Sequence, residues 1–190
     1  MSTVNESHFL NFERQFVTYG KCHTNRINIV CHTVCVPLLL WTALVLTLHF
    51  EPIFSKTLNG WELVLDWPWI LIGIYTLFYL LLEPLAATFF LPVLSGLAYY
   101  AIRFAHSFPN FSQVALVLHL SCWALLFFTY IVFEKKTPAL VDNFSQALLF
   151  APFFVFFEIL FALGYRPLLQ KRMTDEIGQA LHEYQKLHRN

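Results

Sequence analysis

The 24 positions from 27 to 50, INIVCHTVCVPLLLWTALVLTLHF, contain no Asp, Glu, Lys or Arg. A helix that crosses the apolar core of a bilayer needs about 20 such residues, so this run alone restricts the chain to a few architectures. Four more charge-free runs follow, of 16 residues at 67–82, 19 at 84–102, 30 at 104–133 and 15 at 143–157. The fourth divides into a polar loop, FAHSFPNF, and the apolar stretch SQVALVLHLSCWALLFFTYIVF. The fifth resumes beyond Glu158 with FALGY after Ile159 and Leu160. The second run is short for a span and meets the third across Leu82-Glu83-Pro84, which predicts a tight helical hairpin. Hydrophobic types make up 57% of the chain and charged types 13%, against about 25% charged in a soluble domain. A soluble fold of this length has too little interior for that much apolar surface. The expected fold class is all-α, a multi-pass membrane helical bundle of four to five hydrophobic segments with an amphipathic helix at each end. We read it as a single membrane-embedded domain, with an N-terminal segment at 1–25, the bundle at 26–165 and a tail at 166–190.

The ends carry the polar residues. Leu10, Phe12, Phe16 and Tyr19 predict a short amphipathic helix lying at the membrane surface. Leu169, Met173, Ile177, Leu181 and Tyr184 recur at helical spacing opposite charged residues, which predicts a second one outside the bilayer. The first 26 residues lack the apolar core of a secretory signal. Twelve basic residues balance twelve acidic ones, which leaves no surplus for phosphate neutralisation and argues against nucleic acid as a partner. Basic residues gather on the cytoplasmic side of a membrane. Four crossings plus one partly inserted segment would bring nearly all of them to one face, with both termini cytoplasmic.

Histidine is the residue type that points to chemistry. His23 and His32 bracket the entry to the first long run, in YGKCHTNRINIVCH. Nine residues of α-helix turn by about 900°, half a turn net, so on one helix the two rings would face apart. They converge only if His23 precedes the helix and the chain folds back, and Thr24 and Asn25 suit the cap of such a start. Asn28 lies one turn before His32 on the same face. The bland alternative is a pair of hydrogen-bonded histidines at a membrane boundary. Cys22, Cys31, Cys35 and Cys122 form no CxxC pair and read as packing residues. His119 and Glu158 are ionisable groups inside apolar segments, positions that are costly and usually paired or functional.

If the first segment leaves one membrane face and the fourth returns to it, Tyr130, Glu134 and Lys135 arrive at the same boundary as His23 and His32. Tyr130 and Glu134 are one helical turn apart. Glu134 is a candidate carboxylate ligand, or a partner fixing a histidine tautomer; an interfacial salt bridge is the bland alternative. Arg26, Lys135 and Lys136 are candidates for holding a substrate carboxylate, or simply mark the cytoplasmic face. Phe150, Phe153, Phe154, Phe156 and Phe157 would line an acyl groove, or else serve helix packing.

Two stretches, YGKCHTNRINIVCHTVCVP (Tyr19 to Pro37) and FEKKTPALVDNFSQALLFAPFFVFFEILFALGY (Phe133 to Tyr165), resemble the yeast 2-hydroxy fatty acid dioxygenase family of the endoplasmic reticulum membrane. The resemblance implies an Fe(II)-dependent enzyme of fatty acid α-oxidation, acting in phytosphingosine breakdown. It would take a long-chain 2-hydroxy fatty acid and O2 and release an acid one carbon shorter. His23 and His32 stand at family histidine positions and would be the iron ligands. The family typically reads Gln-Phe-x-Gly-His-Gly before the Phe-Glu-Lys run. Here that stretch is Leu126-Phe127-Phe128-Thr129-Tyr130-Ile131, so Tyr130 replaces the expected histidine. A phenolate favours ferric over ferrous iron. The competing reading is therefore a catalytically impaired, lipid-binding relative. A small transporter using His119 and Glu158 is a further alternative, weakened by the lack of an internal repeat.

Overall fold

The computed structural model describes residues 10–134 and 144–187, apart from the side chains at 22, 144–147, 183–185 and 187. Among these residues seven helices follow in order: α1 (Phe12–Cys22), α2 (Arg26–Thr47), α3 (Trp67–Leu82), α4 (Pro84–Ser107), α5 (Phe111–Thr129), α6 (Phe144–Ala162) and α7 (Pro167–Leu187). A π-helical turn, Tyr130–Glu134, continues α5. Between α2 and α3 stands a small antiparallel hairpin, β1 (Phe54–Leu58) and β2 (Trp61–Leu65).

Among the described residues three helical stretches are long and apolar enough to cross a membrane: Arg26–Thr47, Pro84–Ser107 and Phe111–Glu134. The count reaches four if the pair Leu148–Ala162 and Pro167–His182, bent by 118°, forms one span. Only 44%, 33% and 22% of the three apolar windows is buried within the protein. Val30, Leu77, Val117 and Ile131 are among the large apolar residues left outside, and such surface needs lipid around it. The chain is an all-α membrane bundle, as its charge-free runs predict. α3 has 16 residues, about 24 Å of helix, short of a core about 30 Å thick. It joins α4 through the expected tight turn. Glu83 closes α3 by donating its amide to the Tyr79 carbonyl, and its own side chain caps α4 by accepting from the Ala86 amide.

The chain divides into two compact units, Met1–Thr33 with Phe127–Asn190, and Val34–Leu126. In the second unit, α3 and α4 pack through Tyr79 and Phe90, with Ala86, Ala98 and Ala101 fully buried. His119 is satisfied there within a chain of hydrogen bonds. The Trp123 indole donates to its Nε2 at 3.0 Å, and its Nδ1 lies 2.8 Å from the Thr42 hydroxyl. An indole N–H only donates, so Nε2 must accept, and Nδ1 carries the proton and donates a hydrogen bond to the Thr42 hydroxyl. Thr42 in turn donates to the carbonyls of Leu38 and Leu39. The hairpin is the element the all-helical expectation omits. Its turn residues Asn59 and Gly60 both have positive φ, 50° and 83°, the conformation that Asn-Gly favours between right-twisted strands.

The first unit centres on phenylalanine. Asn11 caps α1 by accepting from the Arg14 amide, and α1 then buries Phe12, Phe16 and Val17. Phe12 meets Phe153, Phe154 and Phe157 of α6, and Phe16 meets Phe154, Phe157 and Phe161. The apolar face of α1 packs on α6, and Leu10 of the same predicted face stays exposed. These phenylalanines pack helices together rather than lining an open acyl groove. The amphipathic tail forms as α7, burying Met173 and pairing Arg172 with Glu13 of α1. At the α6–α7 bend Gly164 takes φ 85°, and its amide and that of Tyr165 bond back to Phe161 and Leu160, a closure suited to glycine.

Candidate functional site

The site lies in the first unit, where α1 ends and α2 begins. His23 ends α1, its amide donating to the Gly20 carbonyl. Two residues later Asn25 caps α2, its side chain accepting from the Ile27 amide at 2.9 Å. The chain folds back through this turn, as convergence of the two histidines requires. His23 Nε2 and His32 Nε2 then lie 3.2 Å apart.

The other nitrogen of each ring fixes the chemistry of the pair. His23 Nδ1 is 2.9 Å from the Tyr19 carbonyl, and His32 Nδ1 is 2.9 Å from the Asn28 carbonyl. Carbonyls only accept, so both Nδ1 atoms must carry protons. In the neutral rings both Nε2 atoms then present lone pairs to one another. Two facing lone pairs repel unless a proton or a cation sits between them. Imidazoles that bind metals are held in this way, through the ring N–H that faces away from the ion. The 3.2 Å separation is also that of two imidazole nitrogens each about 2.1 Å from one ion with bonds meeting at roughly 100°. The residues present therefore fit a metal as a two-histidine donor set. Among the described residues no group of three or more His, Cys, Asp and Glu could hold an ion. Further ligands would come from outside that set.

Glu134 does not bond to either ring. Its Oε1 accepts from the amides of Thr24 at 2.8 Å and Asn25 at 2.9 Å and from the Asn28 side chain at 3.1 Å; its Oε2 accepts from the Thr24 hydroxyl at 2.7 Å. It clamps the turn that carries the histidines, and the partners that fix the tautomers are the two carbonyls instead. Asn28, fully buried, is the hub that spacing alone placed only beside His32. It donates to Glu134, accepts from the Thr129 hydroxyl at 3.2 Å, and offers its carbonyl to His32. Thr129 and Glu134 are five residues apart. On an α-helix they would lie about 140° apart, but the π turn, closing at i+5, brings both to one amide.

Tyr130 is buried at the same turn, its ring 6.0 Å from that of His23 and nearly perpendicular to it. Tyr19 stacks on the His23 ring, ring centroids 4.1 Å apart. Burial, with the carboxyl groups of Glu158 and Glu134 nearby, holds the Tyr19 phenol far above its ordinary pKa. Arg26 is exposed at the first position of α2, about 200° around that helix from Asn28. Lys135 and Lys136 lie outside the described residues, as do Asp142 and Asn143.

Residues 9–163 match the family described as Mpo1-like, 2-hydroxy-palmitic acid dioxygenase Mpo1-like. The chain is 30% identical over 174 residues to the Saccharomyces cerevisiae protein named 2-hydroxy-palmitic acid dioxygenase MPO1, covering 88% of this chain and 90% of that one. No solved structure matches it. The match takes in the paired histidines, the turn between them and the π turn that clamps it, and this chain belongs to the Mpo1-like family.

Proposed function

We propose that this protein is an Fe(II)-dependent dioxygenase of the endoplasmic reticulum membrane that shortens long-chain 2-hydroxy fatty acids by one carbon. The observation that carries the reading is the pair of Nε2 lone pairs held 3.2 Å apart by two main-chain carbonyls. The yeast relative's name supplies the substrate class and the co-substrate O2. The reaction balances as 2-hydroxy acid plus O2 giving the shorter acid, carbon dioxide and water, four electrons passing from the substrate to O2.

His23 and His32 would hold the iron, and Fe(II) bound there supplies the reactivity toward O2 that side chains lack. Two protein ligands leave positions for an α-hydroxy carboxylate, which binds metals through its carboxylate and hydroxyl oxygens. The carbonyls of Tyr19 and Asn28 keep both rings in the metal-binding tautomer. Glu134 and Asn28 hold the turn, so the two rings need not be ordered afresh on binding. Arg26, Lys135 and Lys136 remain candidates for attracting the substrate carboxylate, and the chain would place both termini in the cytosol. The test is anaerobic loading of the purified protein with Fe(II), then addition of 2-hydroxypalmitate and O2. Pentadecanoic acid is expected, and His32→Ala should lose both the iron and the product.

Tyr130 supports a second reading. It is buried where the family resemblance expects a histidine, with its ring facing His23. A protein that binds 2-hydroxypalmitate without turning it over would be a lipid-binding relative with impaired chemistry. Tyr130→His should then raise product formation at least tenfold. Unchanged activity in that variant would dissociate position 130 from the reaction.

A further inference from the structure

Tyr19 is placed by its surroundings with little freedom. Its ring is stacked on His23 at 19° between planes, and Phe16 and Phe154 meet it with centroids 6.0 and 5.2 Å away. Its carbonyl holds His23 Nδ1. Its hydroxyl is buried and has no hydrogen-bond partner among the described residues. Of the two carboxyl groups near it, Glu158 does not accept from the hydroxyl and Glu134 directs its bonds to the turn and Asn28. A buried hydroxyl without a partner is costly, so one in a native protein calls for an explanation. A phenol is protonated at neutral pH and can donate. The ring cannot swing the hydroxyl elsewhere without leaving the face of His23.

We propose that the Tyr19 hydroxyl is a substrate-recognition group, donating a hydrogen bond to a head-group oxygen of an α-hydroxy acid seated at the His23–His32 pair. The inference rests on the dioxygenase reading and adds to it a residue that contacts the ligand. The head group offers a carboxylate and a hydroxyl, and both accept. The bond completes the donor that burial leaves open, and places the acid against the imidazole that Tyr19 itself orients. The acyl tail leaves toward the apolar surroundings.

The test uses the full chain loaded with Zn(II), which occupies histidine sites without redox chemistry, and compares wild type with Tyr19→Phe. Binding of 2-hydroxypalmitate should weaken roughly tenfold or more in the variant, the loss expected for one hydrogen bond to a charged or polar acceptor. Zn(II) affinity should be unchanged, because phenylalanine keeps the ring face and the carbonyl. Without lipid ligand the variant should melt at the same temperature as wild type or higher, since it lacks an unpaired buried hydroxyl. The methyl ester of 2-hydroxypalmitate separates the acceptors: a loss confined to the free acid assigns the carboxylate, and an equal loss for both assigns the hydroxyl. Equal binding by wild type and variant overturns the inference alone, as does a lower melting temperature without ligand or a loss of Zn(II). A wild type that binds neither ligand overturns the dioxygenase reading and this inference with it.

Discussion

At the scale of single residues, the site is set by groups that hold the histidines rather than by the histidines alone. Glu134 accepts four hydrogen bonds, two of them from main-chain amides of the turn. Glu134→Ala leaves those donors without an acceptor in a half-buried setting, which costs about 2–4 kcal/mol. The expected outcome is a lower melting temperature in the metal-free protein together with weaker Fe(II) or Zn(II) binding. A ligand role would give the opposite pattern, with metal lost and the metal-free protein as stable as before, because removing a ligand relieves rather than creates crowding there. Melting curves with and without metal separate the two. The convergence of His23 and His32 was legible from spacing and from the capping residues between them. The hub role of Asn28 and the bond from Thr129 were not, because they depend on an i+5 register that no hydrophobic periodicity announces. The orphaned Tyr19 hydroxyl was equally hidden, since a sequence shows a tyrosine but not its missing partner.

At the scale of elements, hydrophobic runs fixed the spanning helices, and local signals fixed their ends. Glu83-Pro84 marked the α3–α4 turn, and the structure uses Glu83 at both helix ends. Asn59-Gly60 carried an equally plain hairpin signal within 51–66. It was lost beside the helical runs because its flanking strands are short and exposed on both faces. His119 is the instructive element-scale case. As an ionisable residue in an apolar run it suggested a transport path, yet its tautomer is fixed by Trp123 and its proton is spent on Thr42. That bond joins α2 to α5 inside the second unit. Thr42→Val removes the acceptor and should destabilise the protein by about 1–2 kcal/mol, within the range for side-chain bonds between membrane helices. Thr42→Ser should restore most of it. A urea or thermal unfolding series on the three proteins checks this, and equal stability of all three would show that the bond joins nothing that matters.

At the scale of the whole molecule, the site-bearing unit joins two stretches far apart in the chain, one up to Thr33 and one from Phe127 onward. That arrangement explains why charge-free runs revealed a membrane bundle but not the support of the site: the supporting contacts join segments more than a hundred residues apart. α1 is held between α6, through Phe12 and Phe16, and α7, through the Arg172–Glu13 pair and the approach of Ile177 to Gly20. A Cβ at position 20 would run into the end of the Ile177 side chain, so any larger residue there requires Ile177 to shift, and glycine serves close approach rather than backbone freedom. Gly20→Val forces α1 and α7 apart or drives Ile177 into a new rotamer, at about 1–3 kcal/mol. Because His23 follows three residues later on the same helix, the displacement should lower metal affinity as well as melting temperature. Ile177→Ala in the Gly20→Val background opens the missing space and should recover both. A double-mutant cycle read in metal affinity decides the matter. Coupling between positions 20 and 177 in that readout would tie the tail helix to the metal pair, whereas coupling in stability alone would leave α7 as a brace for α1 with no hold on His23.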